Sequence, residues 1–275
     1  MSVRTRKTVV QAIRYIVAVV ALIFSLFPIL WICLTAFKTG DWIYKSPPVW
    51  FPPNPTLQHF NIFIESGGWR SLANSFIIST SATLLALLIG SLAAYGLARY
   101  KVGGDNLPFF ILSQRFTPPV IIVFPFLMVF KALKWMDTYQ ALIVVYLTFN
   151  LPYAVWMMRG FFLEIPVEIE ESALVDGCSP FGAFWRIALP LAAPGLVATG
   201  VFCFIFAWAE FFFAVCLTRS TAVPLSVFLV NSFGKGEIMW GQIASTSIVA
   251  MVPMFLVSFV VQRYLVRGLT MGAVK

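Results

Sequence analysis

Charge is what this sequence has least of. Only 11% of its 275 residues are Asp, Glu, Lys or Arg, about half the share found in a water-soluble domain. That scarcity excludes an ordinary soluble fold, although the length alone would suit one or two soluble domains. Histidine is nearly absent too. His59 is the single one, with no second ligand type beside it, so metal binding is not expected and solvated surface is the default. There is no glycine-rich phosphate loop and no HExxH pair, hence no catalytic set, and the chain is not expected to be an enzyme. The four cysteines form no framework: Cys33, Cys203 and Cys216 fall in apolar runs and Cys178 in a polar loop. Cys203 and Cys216 would sit about 20 Å apart along one helix, too far to bridge, and they read as small apolar filler.

What is present is oil. Hydrophobic residues make up 60% of the chain, and six runs reach the roughly 20 residues needed to cross a bilayer core. They cover approximately 15–37, 72–97, 107–130, 139–162, 194–218 and 242–266. The expected fold is an all-α polytopic membrane protein, a single domain over 1–275 with six transmembrane helices. A tail (1–14), an outer loop (38–71), an acidic loop between helices four and five (163–193) and a second tail (267–275) connect or flank them. The net charge of +8 therefore needs no nucleic acid to explain it. Arg4, Arg6, Lys7, Arg14, Arg99, Lys101, Arg159, Arg186, Arg263, Arg267 and Lys275 lie on the side of the termini. Lys38, Lys45, Arg70, Lys131, Lys134, Arg219 and Lys235 lie on the other. This bias of eleven to seven puts both termini and the acidic loop in the cytoplasm. The first run is about 23 residues long and lacks a small-residue cleavage site, so it reads as a retained anchor.

Two features shape the spans. Ala82, Ala86, Gly90, Ala94 and Ala98 recur every four residues, a row that lets helix backbones approach closely in lipid. It reads as helix packing, or as a seam facing a partner or moving element. Pro118, Pro119, Pro125, Pro152 and Pro253 interrupt later spans, which suits helices bent around a cavity, provided neighbours satisfy the freed carbonyls. In the outer loop, KSPPVWFPPNPTL favours extended chain.

The acidic loop stands apart. Of 11 acidic residues, five (Glu164, Glu168, Glu170, Glu171, Asp176) fall within 13 positions. Pro166 suits a helix start, Val167 to Val175 makes two and a half turns, and Asp176–Gly177 supplies a stop. On a helical wheel Ile165, Ile169, Ser172 and Ala173 share one arc while Glu168, Glu170 and Glu171 point elsewhere. Glu168 in the first turn suits the helix dipole. A second short helix is expected from Phe181 to about Leu189, before Pro190 and Pro194 reset the chain. Too short to be stable alone, this helix-turn-helix reads as a docking element.

Glu171–Ser172–Ala173, then Gly177, then Ile187, Leu189 and Pro190 resemble, with spacing intact, the EAA loop of membrane subunits of bacterial ATP-binding-cassette importers. Ser172 replaces the usual alanine, a small-for-small change. DGCSPFGAFWRIALPLAAPGL, AAYGLARYKVGG, FIFAWAEFFFAV and the tail GLTMGAVK are similar to the carbohydrate branch, and specifically to the smaller subunit of maltose-type permease pairs. The resemblance implies a permease whose coupling helix sits in a cleft of an ATPase subunit. Glu171 would pair with a basic residue there, Gly177 would make the turn and Ala173 the close contact, with Glu170, Ser172 and Asp176 completing the docking surface. Thr270 and Gly272 in the tail would touch the ATPases, which bind the ATP and magnesium; no cofactor is expected in this chain. Partners would be a homologous permease, two ATPase subunits and an extracytoplasmic solute-binding protein in a bacterial plasma membrane. Phe233, Lys235 and Trp240 would face the binding protein.

Glu210 is the one acid placed well inside a span. Such carboxylates face a protein interior or a water-filled cavity; beside Trp208 it could line a sugar path, or it could make a structural hydrogen bond to another helix. Ala209 stands where the family usually has asparagine. Asn150 is a further candidate on the path, although interhelical hydrogen bonding suits it equally, as it does Asn74, Gln114 and Arg115. The alternative to an ATP-driven permease is an ion-coupled secondary transporter, which would explain the spans and Glu210 but has no use for a docking loop.

Overall fold

A computed structural model describes residues 3–104, 106–231 and 239–270. Phe233, Lys235 and Gly272 lie outside the described residues. All regular structure among the described residues is helical. The order is α1 (Val3–Ala36), α2 (Gly40–Ile43), α3 (Gln58–Glu65), α4 (Gly68–Arg99), α5 (Asn106–Ser113), α6 (Pro119–Ala132), α7 (Tyr139–Glu164), α8 (Val167–Val175), α9 (Pro180–Ala183), α10 (Leu189–Leu191), α11 (Ala193–Ala209), α12 (Phe212–Leu217), α13 (Leu225–Asn231) and α14 (Trp240–Thr270).

Among the described residues, four helices are long and apolar enough to span a bilayer alone, α1, α4, α7 and α14, and the number reaches six if each of two bent pairs is one span. Here the expected spans need correction. The third is no continuous helix; α5 with its following 3₁₀ turn meets α6 at 85°. Thr117 and Pro118 are extended, with ψ of 123° and 129°, because each precedes a proline and is pushed out of the α region. Pro119 then opens α6 as a first-turn proline should. At the fifth, the run Pro180–Leu191 meets α11 at 77°. Pro190 is absorbed within that helical run and Ala192 makes the bend. The same span breaks again at Glu210 and Phe211, so α12 is a separate helix.

The chain packs as two compact units. One is Met1–Gly68 with Leu229–Met251. In it, Trp50 of the proline-rich segment sets its ring edge-on to Phe27 and Trp31 of α1, at 5.8 and 5.6 Å, and Thr56 N–H donates to Phe37 O. His59 is not merely solvated: its Nε2 lies 2.9 Å from Lys38 O, and its ring occupies the space where a Cβ on Gly241 would stand. Lys38 is buried with its Nζ 4.1 Å from the Trp31 ring centre, and burial lowers its pKa.

The other unit is Trp69–Phe228 with Val252–Lys275. The small-residue row of α4 is its internal seam: Ala82, Ala86, Ala94 and Ala98 are buried, and Ala86 packs with Ala154 and Cys203. At Gly90 a Cβ would stand 2.8 Å from Ala154 Cβ, so the two backbones already touch. Polar ties pin the packing. Asn74 Nδ2 donates to Thr221 O and Val223 O at 3.0 Å, and its Oδ1 accepts from Tyr139 at 2.7 Å. Asp137, between α6 and α7, accepts from the backbone N–H groups of Arg219, Ser220, Thr221 and Ala222. Burial alone would raise its carboxyl, but the four donors win and hold it well below the usual carboxylate range.

Two outcomes test this packing. Gly90→Ala forces the α4 and α7 backbones apart and should cost about 1–3 kcal/mol, read as a lower thermal midpoint of the detergent-solubilised protein. Gly96→Ala, whose Cβ would meet nothing within 4 Å, should instead be neutral or slightly stabilising, since alanine is the better helix former. Asp137→Asn should destabilise by about 1–3 kcal/mol at neutral pH. A depressed folded pKa contributes stability above the unfolded pKa that is lost only as pH falls through the folded value. The wild-type midpoint should therefore carry no Asp137 signature between pH 5 and 8, by that linkage of about zero slope above both pKa values.

Candidate functional site

The 164–193 segment folds as an ordered elbow. Helix α8 spans Val167–Val175 behind Pro166, matching the expected span. Its end is a complete Schellman arrangement: Gly177 has φ +86°, Gly177 N–H donates to Leu174 O and Cys178 N–H to Ala173 O, satisfying orphan carbonyls in the way a left-handed residue permits. Ser179 Oγ then accepts from Gly182 N–H at 3.1 Å, capping α9 ahead of Pro180. A π-helical turn over Phe184–Ala188 carries the run onward. Phe184 is buried, its ring 5.0 Å from Tyr95 and 6.1 Å from Phe162, which seats the elbow on the ends of α4 and α7 in a cluster that also holds Ala94, Met158 and Ala188.

The carboxylates on α8 do not form a free ring. Glu170 is 4% exposed and Ala173 is 9% exposed; they make the inner face. Glu170 Oε1 accepts from Arg99 Nε at 2.9 Å and Nη2 at 2.6 Å, and Oε2 accepts from Tyr95 at 2.7 Å. Arg99 Nη2 also donates to Ile165 O at 3.0 Å. This corrects the reading of Glu170 and Ala173 as outer docking surface: a buried guanidinium draws the acid inward, and alanine sits where α8 lies against its own chain. Removing one partner of such a pair strands a buried charge, at a cost of about 3–5 kcal/mol. Glu168, Glu171, Ser172 and Asp176 remain exposed, alongside apolar Ile169, Leu174, Val175 (87% exposed) and Phe181. Ser172 Oγ bonds Ile169 O of its own helix, so the departure from alanine leaves no unsatisfied hydroxyl.

A second site lies where two helix breaks meet. A cavity of about 450 Å³ is lined by Gln114, Arg115, Thr117, Thr148, Phe149, Phe206 and Glu210, among others. Glu210 is itself the break: its backbone is extended, and its carboxylate accepts from Phe213 N–H at 2.8 Å and Ala214 N–H at 3.1 Å. Ser226 Oγ donates to its carbonyl at 2.8 Å. The carboxylate thus caps α12 and faces the cavity at once. Arg115 lies over Phe206 and Tyr153, at 4.1 and 4.9 Å to the ring centres, with Nη1 buried and without a hydrogen-bond partner. Trp208 does not join them. Residues two apart on a helix face opposite ways, and Trp208 packs on Phe76 and Phe204 instead. Asn150 is fully buried and donates to Cys203 O at 3.1 Å, an interhelical tie away from the cavity. Sequence alone marks Arg115 only as a polar group and does not single out Thr117 or Thr148; the Thr-Pro-Pro break is the available signal.

The family profile described as "Binding-protein-dependent transport system inner membrane component" matches residues 86–271. The chain belongs to this family. It is a membrane permease of the ATP-binding-cassette importer class, and the ion-coupled alternative falls away. The trehalose/maltose transport system permease protein MalG of Thermococcus litoralis is 33% identical to it, over 98% of this chain and 99% of the relative. The diacetylchitobiose uptake system permease protein DasC of Streptomyces coelicolor is 35% identical, over 94% and 95%. The fold is similar to that of a bacterial ABC transporter involved in import of the acidic polysaccharide alginate, with TM-score 0.80 and 21% identity over 96% of this chain and 98% of that one.

Of the other residues singled out, Trp240 opens α14 and lines a cavity of about 380 Å³ with Trp31, Lys38 and Tyr44; Thr270 is the last residue of α14. In this permease the capping role of Glu210 is testable apart from transport. Glu210→Ala removes the acceptor for two N–H groups and should lower stability by about 1–2 kcal/mol, seen as a reduced thermal midpoint in detergent. Glu210→Gln, which keeps an acceptor oxygen, should recover much of that loss.

Proposed function

We propose that this permease forms half of the translocation pathway of a carbohydrate importer and is driven by separate ATPase subunits. The observation that carries the reading is the α8–α9 elbow. It is a rigid knob, closed by the Gly177 turn, that shows Glu171 and an apolar patch outward while its inner face is fixed to α4. Such a knob moves with the socket that grips it. Both termini and the elbow lie on the cytoplasmic side in this reading, supported by the modest cationic bias. The partners are a homologous permease, a dimer of ATPases that bind ATP and magnesium, and an extracytoplasmic solute-binding protein.

The geometry supports the following mechanism. Closure of the ATPases on ATP pulls the elbow, and the spans switch from inward- to outward-facing. Solute then passes from the binding protein into the cavity bounded by the breaks at Thr117–Pro118 and Glu210. Glu210, Gln114 and Thr148 supply hydrogen-bonding groups to hydroxyls, while Phe149 and Phe206 cover apolar sugar faces. Thr270 and Gly272 are assigned to ATPase contact, and Phe233, Lys235 and Trp240 to the binding protein. The carbohydrate cargo is supported by relatives named for trehalose, maltose and diacetylchitobiose.

The wild-type chain, purified in mild detergent from its native host, should bring an ATP-binding-cassette ATPase with it. Glu171→Lys should remove that partner and reduce ATP-dependent solute uptake by at least about tenfold, because a paired interface charge is worth ~2–5 kcal/mol. Gly177→Pro should do the same by destroying the turn, with permease levels in the membrane unchanged. Uptake at wild-type rates in both variants would overturn the assignment.

A further inference from the structure

Two adjacent acids on α8 face different ways. Glu171 is exposed, while Glu170 is buried against α4, as the 100° step between neighbouring helical residues requires. The Arg99–Glu170 pair is the one salt bridge among the described residues, with side chains only 8% and 5% exposed. Its guanidinium sits on the last residue of a 32-residue helix that spans the bilayer. Arg99 makes three hydrogen bonds to the elbow region through one planar group, two to Glu170 Oε1 and one to the Ile165 carbonyl. Tyr95, one turn earlier on α4, holds the second carboxylate oxygen while its ring packs on Phe162 and Phe184.

Resting on the coupling reading above, we propose that the Arg99–Glu170–Tyr95 cluster is the joint that transmits displacement of the coupling helix to α4. The apolar cluster around Phe184 already seats the elbow, but dispersion contacts have no direction and permit sliding. A fork on a carboxylate has a fixed geometry, and charges without solvent competition resist separation far more than exposed ones. The joint makes α8 and the inner end of α4 one rigid bracket, with Glu171 facing the motor on one side and Arg99 pulling the span on the other. Glu170, Arg99 and Tyr95 are therefore positioning residues, acting through the helices they join.

The test uses the assembled complex, permease pair with ATPases, in lipid nanodiscs. Spin labels are placed on Leu88→Cys in α4 and Glu168→Cys in α8, in a chain with its four cysteines replaced by alanine. Distances are measured without nucleotide and with magnesium–ATP plus vanadate. In the otherwise wild-type chain the distance distribution should be narrow and identical in both states. In Glu170→Gln it should match wild type without nucleotide, then shift and broaden with nucleotide, while the ATPases still co-purify. Tyr95→Phe, which keeps the ring and loses one hydrogen bond, should show a smaller shift of the same kind and serves if Glu170→Gln does not assemble. The proposal fails if the wild-type distance itself changes with nucleotide, or if the variants stay narrow in both states. Broadening in both states would also overturn it, reducing the cluster to a structural staple. Absence of any ATPase from the wild-type complex would instead sink the coupling reading itself.

Discussion

Within hydrocarbon no water can satisfy a peptide group, so each interruption of a helix must bring its own hydrogen-bond partners. This constraint organises the larger unit of the permease. At Thr117–Pro119 the prolines have no N–H to leave orphaned, and Ile121 N–H reaches back to Pro118 O. At Ala192, where the acidic loop runs into the fifth span, the ladder persists through the bend, with Ala192 donating to Ala188 O and Leu196 to Ala192 O. At Glu210 a carboxylate takes the place of the missing carbonyls and holds the first N–H groups of α12. The first and third breaks border the same cavity. Irregular backbone at such depth is tolerated where it lines a protein interior or a path, and that is where this chain has it.

Lipid tails are as apolar as leucine, so burial of oily side chains does little to hold helices together here. Cohesion comes from close approach and from a few long-range polar ties. Gly90 against Ala154 supplies the first. Asn74 with Thr221, Val223 and Tyr139, Asn150 with Cys203, and Asp137 with the 219–222 backbone supply the second. Each tie joins segments far apart in sequence.

Local order was legible, non-local choice was not. Helix α8 and its Asp176–Gly177 end follow from Pro166, the run of helix formers and one glycine, all within a dozen residues, and the structure has them where the spacing put them. The apolar runs were legible for the same reason. Which carboxylate of α8 turns inward was not, because Arg99, 71 residues earlier, decides it; the wheel shows faces but not what waits beside them. The third run is a bent pair rather than one continuous helix, because two successive residues before prolines leave the α region altogether. Glu210 was recognised as an interior acid, yet its role as a helix cap depends on a break that hydropathy cannot register. Trp208 was grouped with it by sequence proximity, which on a helix places two residues on opposite sides.

These observations converge on how force could cross the protein. A loop joined to its spans only by apolar contacts would yield at the contact when pulled, since neighbouring packings of oily side chains differ little in energy. The elbow is instead closed at one end by a backbone turn available to glycine and gripped at the other by a buried fork-on-carboxylate. Beyond that grip α4 continues as an unbroken helix, while α6 and α12, which border the cavity beside the continuous α7, each follow a break in the chain. Under the proposed function, stiffness would lie in the element that receives the push and compliance in the broken helices beside the cavity. That division follows from where prolines, one glycine and two buried charges sit in the sequence.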